Sequence, residues 1–380
     1  MAICASCHQQ AETYLSRWQR FHGRLGEKMS RITGTPPTQT PTESAIAADL
    51  SVRVARARMR TVDIVKGIAI VLMVAGHTEQ GAMHRHWWDG MPGVMQGMGF
   101  FDSFIYSFHM PSFFLISGLF LAGSMERRGA RGVVAERLKT IMYPYLLWGL
   151  IAGLTGPLTA PFRSVVTPFT WNGLLEGLVS GSASWFLPTL FVCQLLGLAT
   201  MRMPHWMRLL LALAASALTP ALGPTVVRAP MQYFVFLAAG MWVGTAGLKR
   251  LEALPRGVAL GGFTVLVAVQ VTVIGLWGAV NSADKGVVGI AGSAMLLLLA
   301  RGIEGTAGDR VCSWLGEASL GIFLLSPYGQ GGGRELVLRL LHTTAPWPQM
   351  VVPIALAVVI PALIWHARER LHLELIFRWP

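Results

Sequence analysis

Lys66 and His77 stand eleven residues apart inside the first strongly apolar stretch of the chain, D-I-V-K-G-I-A-I-V-L-M-V-A-G-H (Asp63–His77). At 100° per residue this separation comes to roughly 20° past three full turns, so a helix carries both side chains on one face. They lie about 16 Å apart along the axis. If Lys66 marks the cytoplasmic edge of a membrane, His77 lies near mid-bilayer, where an ionisable group is costly and usually functional. Asp63, three residues before Lys66, can neutralise it. A second histidine, His109, follows in S-F-H-M-P-S-F-F-L-I-S-G (Ser107–Gly118). Seven residues into its own apolar stretch, about 10 Å of rise, it reaches a similar depth from the opposite side. Two histidines at one depth suggest a polar cavity in which a neutral imidazole serves as general base. A packing role for His109 is the alternative.

The elements that position these groups follow from composition. Of the 380 residues, 53% are hydrophobic and 13% charged, and the mean hydropathy is +0.51. A soluble domain needs a more charged surface than this. The expected fold is all-α, a polytopic membrane bundle of about ten transmembrane helices, near 62–82, 102–122, 141–158, 184–201, 207–224, 231–247, 257–279, 286–300, 314–330 and 350–366. With ten spans, 19 basic residues outside the spans fall on one side, from Arg53, Arg56, Arg58 and Arg60 to Arg368, Arg370 and Arg378. The other side holds six: Arg85, Arg163, Arg228, Lys285, Arg334 and Arg339. The positive-inside rule then places both termini in the cytoplasm and the protein in the inner (plasma) membrane. The net charge of +12 does not indicate nucleic acid, since no basic face is interleaved with stacking aromatics.

Three regions are expected: a disordered cytoplasmic tail over 1–50, a membrane domain over 51–370 and a short cytoplasmic tail over 371–380. The first contains the Pro/Thr-rich run Thr33–Ser44 and shows no signal peptide. Cys4-Ala5-Ser6-Cys7-His8 fits the haem-attachment pattern, but covalent haem needs a translocated site and this tail is expected in the cytoplasm. No span carries H-x-x-x-H or H-E-x-x-H, so no metal is expected.

The run K-G-I-A-I-V-L-M-V-A-G-H resembles the signature of the acyltransferase type 3 superfamily, integral-membrane O-acyltransferases that modify carbohydrates. Its hallmark, Arg or Lys, ten residues, then His, falls on Lys66 and His77. Asp63 before the Lys and Gly67 after it are similar to the fucose-acetylase-like branch. Four more blocks match in order: Phe108–Gly118, Arg137–Gly149, Ser184–Phe191 and Leu315–Ser326. The resemblance implies about ten helices, an acyl-CoA co-substrate (usually acetyl-CoA) on the cytoplasmic side, and an acceptor sugar hydroxyl often reached from the other side. It implies no permanently bound cofactor. His77 would be the essential base or acyl relay, Lys66 its motif partner, and His109 part of the second motif. One departure stands out: many members end the last block with His, where this chain has Ser326.

Residue chemistry agrees. A sugar hydroxyl is a poor nucleophile until a base takes its proton as it attacks the thioester. The phosphates of coenzyme A need cations, and Arg137 and Lys139, with Arg127, Arg128 and Arg131 before them and Arg60 at a similar depth, supply candidates. Ordinary positive-inside charge explains the same residues. In the outer loop His84–Met91, Trp88 and Asp89 can bind a sugar by stacking and hydrogen bonding, as can Trp185. An interfacial aromatic belt is the alternative. Glu317 reads as a charge at a span entrance, and Gly331–Gly333 as a flexible outer loop without the context of a phosphate loop. Two functions remain in play. The first is an O-acyltransferase acting on an envelope or exported carbohydrate, or on its lipid-linked precursor. The second is a transporter or flippase whose intramembrane His and Lys line a path.

Overall fold

A computed structural model describes residues 43–159, 170–180, 184–219, 225–278, 285–343 and 345–379. The expected tail, its haem-like motif, and Arg163 fall outside them, apart from the helix that begins at Glu43. The chain divides into Met1–Ala57 and Arg58–Pro380, and the fold below is that of the second unit. Among the described residues every regular element is helical.

In chain order the helices are α1 (Glu43–His84), α2 (Pro92–Arg137), a wide π-helical turn (Leu138–Met142), α3 (Tyr143–Leu154), α4 (Gly156–Thr159), α5 (Trp171–Ser180), α6 (Phe186–Ala199) and α7 (His205–Ala217). The long α8 (Thr225–Glu252), α9 (Arg256–Trp277) and α10 (Lys285–Ile303) follow, then α11 (Ala307–Glu317), α12 (Ser319–Leu340) and α13 (Pro346–Ala367). Among the described residues, six helical stretches are long and apolar enough to cross a membrane: Arg60–His84, Pro92–Leu154, Val226–Glu252, Arg256–Leu276, Gly286–Ile303 and Pro346–Ala367. The protein is therefore a multi-pass membrane protein. The expected span 102–122 and most of 141–158 fall within Pro92–Leu154, which Gly129, at φ +65°, breaks between them.

Three of the ten expected spans do not correspond to such a helix. Those at 184–201 and 207–224 meet α6 and α7, of 14 and 13 residues. The span at 314–330 begins inside α11 and crosses the break at Ala318. Gly331–Gly333, expected in a loop, lie inside α12. Tertiary packing overrides their loop propensity: a Cβ on Gly329 would stand 2.6 Å from Ala357 Cα, and one on Gly333 2.7 Å from Pro353 Cα. Small residues four apart let α12 and α13 approach backbone to backbone.

The same device holds the centre. α2 runs along α8, and a Cβ on Gly118 would collide with the Leu237 carbonyl and one on Gly240 with the Leu115 carbonyl. Within α1, Gly67 admits the Cys312 carbonyl, and Gly316 of α11 admits that of Asp63. Polar side chains join helices where no water competes: Gln270 Nε2 donates to Ser107 Oγ at 2.8 Å, and Gln194 Nε2 donates to Ser117 Oγ at 2.8 Å. Arg208, 1% exposed, donates to the carbonyls of Thr200, Met201 and Met203 and so caps the end of α6. By contrast only 17% of the apolar window of α9 is buried, and Val258, Val265 and Leu276 face outward, as a lipid-facing helix requires.

This packing predicts opposite outcomes for two glycines. Gly240→Leu forces α2 and α8 apart and costs about 1–3 kcal/mol or more, read as a lower Tm of the detergent-purified protein. Gly261→Ala, where a Cβ meets nothing within 4 Å, leaves Tm unchanged or raises it by removing a helical glycine worth about 0.5–1 kcal/mol.

Candidate active site

α1 carries His77, and α2 carries Tyr106 and His109. The helices meet with the Tyr106 hydroxyl 3.0 Å from His77 Nδ1. The two rings are edge to face, 6.1 Å between centroids. One turn along α2, Tyr106 also stands edge-on to His109 at 4.7 Å. Gly76 makes room for the phenol, since a Cβ there would stand 2.9 Å from Tyr106 Cε2. His109 is fully buried, with Nδ1 2.7 Å from the Ile105 carbonyl oxygen. A carbonyl only accepts, so Nδ1 carries the proton and the Nε2 lone pair is left over. Among the described residues that Nε2 has no hydrogen-bond partner.

Both histidines line a cavity of about 710 Å³. His77 is exposed there although its neighbours Gly76, Thr78 and Glu79 are buried. Gln80, one turn on, donates its amide to Asp102 Oδ1 at 3.0 Å. The remaining walls come from α3 (Tyr145, Trp148), from Trp185 before α6, and from α12 (Ser326, Tyr328, Arg334). Gln330 Nε2 donates to the Val74 carbonyl at 3.1 Å, which pins α12 to α1 just before His77. Trp148 Nε1 donates to the Ile376 carbonyl at 2.7 Å. With Phe377 only 2% exposed, the end of the chain braces this wall.

The structure thus brings together three of the residues singled out above: His77, His109 and Trp185. Ser326, the departure from the family pattern, joins them. It is 3% exposed, and its hydroxyl donates to the Phe323 carbonyl at 3.4 Å. The others lie elsewhere. Lys66 Nζ pairs with Asp63 Oδ1 at 2.6 Å, outside the cavity lining. Arg60 Nε donates to Asp309 Oδ1 at 2.7 Å, and that carboxylate is fully buried and also accepts from Gly305 N. Arg137 and Lys139 flank the start of the π-helical turn, both half-buried. Trp88 is 1% exposed and packs on Trp347 at 5.4 Å in a small separate cluster. Asp89 is exposed, 3.4 Å from His86 Nδ1. Glu317 ends α11 and is exposed.

Several site residues escape a reading of the sequence. Tyr106 had a signal, its place one helical turn before His109, but Arg334 followed what read as a loop and Gln330 stood only at the end of an expected span. Glu79 is 1% exposed, two residues after His77, and neither carboxylate oxygen has a partner among the described residues.

Comparison with known proteins places the chain. The model of the family described as "Acyltransferase domain" matches residues 59–366. Nodulation protein NolL of Sinorhizobium fredii (strain NBRC 101917 / NGR234) is 31% identical over 135 residues, 33% of this chain and 32% of that protein. Nodulation protein NolL of Mesorhizobium japonicum is 34% identical over 104 residues, 27% of this chain and 26% of the relative. The match therefore spans about a third or less of the length of these curated relatives. No solved structure matches the chain. Because the family model covers most of the chain, including every residue that lines the cavity, the chain belongs to the acyltransferase type 3 family.

Proposed function

We propose that this membrane acyltransferase moves an acetyl or other short acyl group from acyl-CoA to a hydroxyl of an envelope or exported carbohydrate, with His77 as the base. The observation that carries this reading is the exposure of His77 to the cavity while Tyr106 engages its Nδ1. A hydroxyl both donates and accepts, so the Tyr106 contact survives gain and loss of a proton by the imidazole. The steps balance: the sugar oxygen attacks the thioester carbon as His77 takes its proton, and the carbon–sulfur bond breaks. The proton then passes from His77 to the departing thiolate. If His77 acts instead as an acyl relay, it carries the acyl group itself between donor and acceptor.

The other roles follow from placement. Trp185 offers a ring to a sugar face, whereas Trp88 and Asp89, away from the cavity, serve the acceptor only beyond its walls. The Nε2 lone pair of His109, without a partner in the protein, suits a donor from the substrate. Lys66, neutralised by Asp63, acts through the position of α1 rather than by touching the reacting atoms. Arg137 and Lys139, with Arg60, are the proposed contacts for the coenzyme A phosphates on the cytoplasmic side. The excess of basic residues on that side supports an inner-membrane protein with cytoplasmic termini.

Mass spectrometry of surface and lipid-linked glycans from cells with the native protein or His77→Ala, at matched membrane abundance, tests this reading. The expected outcome is loss of one acyl mass increment, with acylation lowered at least ~100-fold. Unchanged acylation in the variant overturns the role of His77 and favours a carrier that moves an unmodified molecule. Tyr106→Phe, which removes one hydrogen bond and keeps the ring, is expected to lower turnover about tenfold, with little change in the KM for acyl-CoA.

A further inference from the structure

The run Leu373–Trp379, expected as part of a short cytoplasmic tail, is packed against the bundle as a strap. Leu373, Ile376 and Phe377 turn one apolar face inward, while Glu374, Leu375 and Arg378 are exposed. Their spacing, i, i+3 and i+4, is that of a single helical face, and a 3₁₀ turn forms over Glu374–Ile376. Two successive carbonyls of the strap are taken by side chains of α3. The Tyr143 hydroxyl donates to that of Leu375 at 2.8 Å, and Trp148 Nε1 to that of Ile376 at 2.7 Å. Two further bonds reach back before α3. The Trp379 amide donates to the Lys139 carbonyl at 3.2 Å, inside the π-helical turn, and Arg378 Nη2 pairs with Glu136 Oε1 at 3.0 Å.

Trp148 is where this strap meets the cavity. Its ring neighbours Tyr328 of α12, 6.2 Å between centroids, and stacks on Phe377 at 6.5 Å with 29° between the planes. Phe377, 2% exposed, is held edge-on by Trp365 of α13 at 5.1 Å. Among the α3 residues in the cavity wall, Tyr145, Trp148, Gly149 and Ala152, the indole is the largest side chain. An indole anchored at its N–H and stacked on a neighbour keeps one orientation. Without the strap Trp148 loses both anchors, and its N–H is left to find another acceptor. Phe377 itself does not line the cavity.

We infer that Phe377 is a positioning residue for acyl transfer: through the strap it holds Trp148 in the cavity wall and ties the π-helical turn to α3. This rests on the reading of the cavity as the acyl-transfer site. A π-helical turn departs from the regular hydrogen-bond ladder and often marks a functional site. Here it separates Arg137, which precedes it, from Tyr143, which begins α3. The strap's bonds to Lys139 and Trp148 fall on the two sides of the end of that turn, so the strap fixes the spacing between the proposed donor contacts and the cavity wall. Misplacing a reacting group by about 1 Å costs up to ~100-fold in rate even when the altered residue is remote from the chemistry.

The test is a double-mutant cycle between Phe377→Ala and Trp148→Phe, read as glycan acylation in cells at matched membrane abundance. Amide hydrogen exchange of α3 in the full-length, detergent-purified protein is the second readout. Each single variant should lower acylation about tenfold. The double variant should fall no further than the weaker of the two, because both changes act through one ring. Phe377→Ala should also speed exchange across Tyr143–Leu154, and Phe377→Leu, which keeps most of the buried apolar volume, should recover part of both effects. If the alanine variant fails to reach the membrane, Tyr143→Phe carries the same cycle with a smaller loss, since it removes a strap bond outside the cavity lining. Losses that multiply in the double variant make Phe377 structural only and overturn the proposal, as does native acylation in Phe377→Ala. Exchange is read without acyl transfer, so the two possible failures separate. Faster exchange with native acylation in both single variants sinks the reading of the cavity, whereas unchanged exchange sinks the strap.

Discussion

The contact between the Tyr106 hydroxyl and Nδ1 of His77 is the interaction on which the rest of the site depends. It engages one ring nitrogen of a histidine that apolar neighbours would otherwise leave without orientation. It also sets the spacing of α1 and α2, because the phenol fits only where Gly76 leaves the helix surface bare. His109, edge-on to the same phenol and tied to the Ile105 carbonyl, holds Tyr106 from the other side. The two histidines are thus coupled through a tyrosine rather than by facing one another.

Around that contact the bundle solves one recurring problem. Helices in an apolar medium gain little from burying more apolar surface against one another, so close backbone approach and interhelical hydrogen bonds must hold them. Gly118 and Gly240 join α2 to α8, and Gly329 and Gly333 join α12 to α13. Gln194, Gln270 and Gln330 supply amides that reach across to neighbouring helices. Ser112 and Ser293 make a further cross-helix bond at 3.2 Å. The cavity is the place where this satisfaction stops. There the Nε2 of His109 is left without a protein partner among the described residues, and a desolvated polar atom of that kind is costly unless a ligand completes it.

Ser326 shows how a departure from a family pattern acquires meaning. It lies in the wall opposite the two histidines, so the smaller side chain enlarges the cavity and removes a ring from it. A hydroxyl bonded to its own helix at Phe323 leaves that wall with no titratable group at this point. The positive charge nearest along α12 is then Arg334, two turns on. Tyr145, Trp148 and Trp185 make the rest of the wall aromatic.

Much was legible in the residues alone, for a physical reason. Hydropathy reports on solvent, and a chain this apolar has a membrane as its solvent; helical periodicity reports on local backbone geometry, and the interval from Lys66 to His77 keeps its meaning in any straight helix. The all-helical class and the special place of His77 and His109 follow from those two facts. Long-range contact is different, because it depends on which helix faces which. A Trp88 buried under Trp347, and Gly331–Gly333 inside a helix rather than a loop, are both decided by packing partners more than ten residues away. The same holds for the short α6 and α7, whose lengths do not reach across a bilayer. Arg334 became part of the site only when α12 was pinned to α1 through Gln330, a bond between residues 256 positions apart.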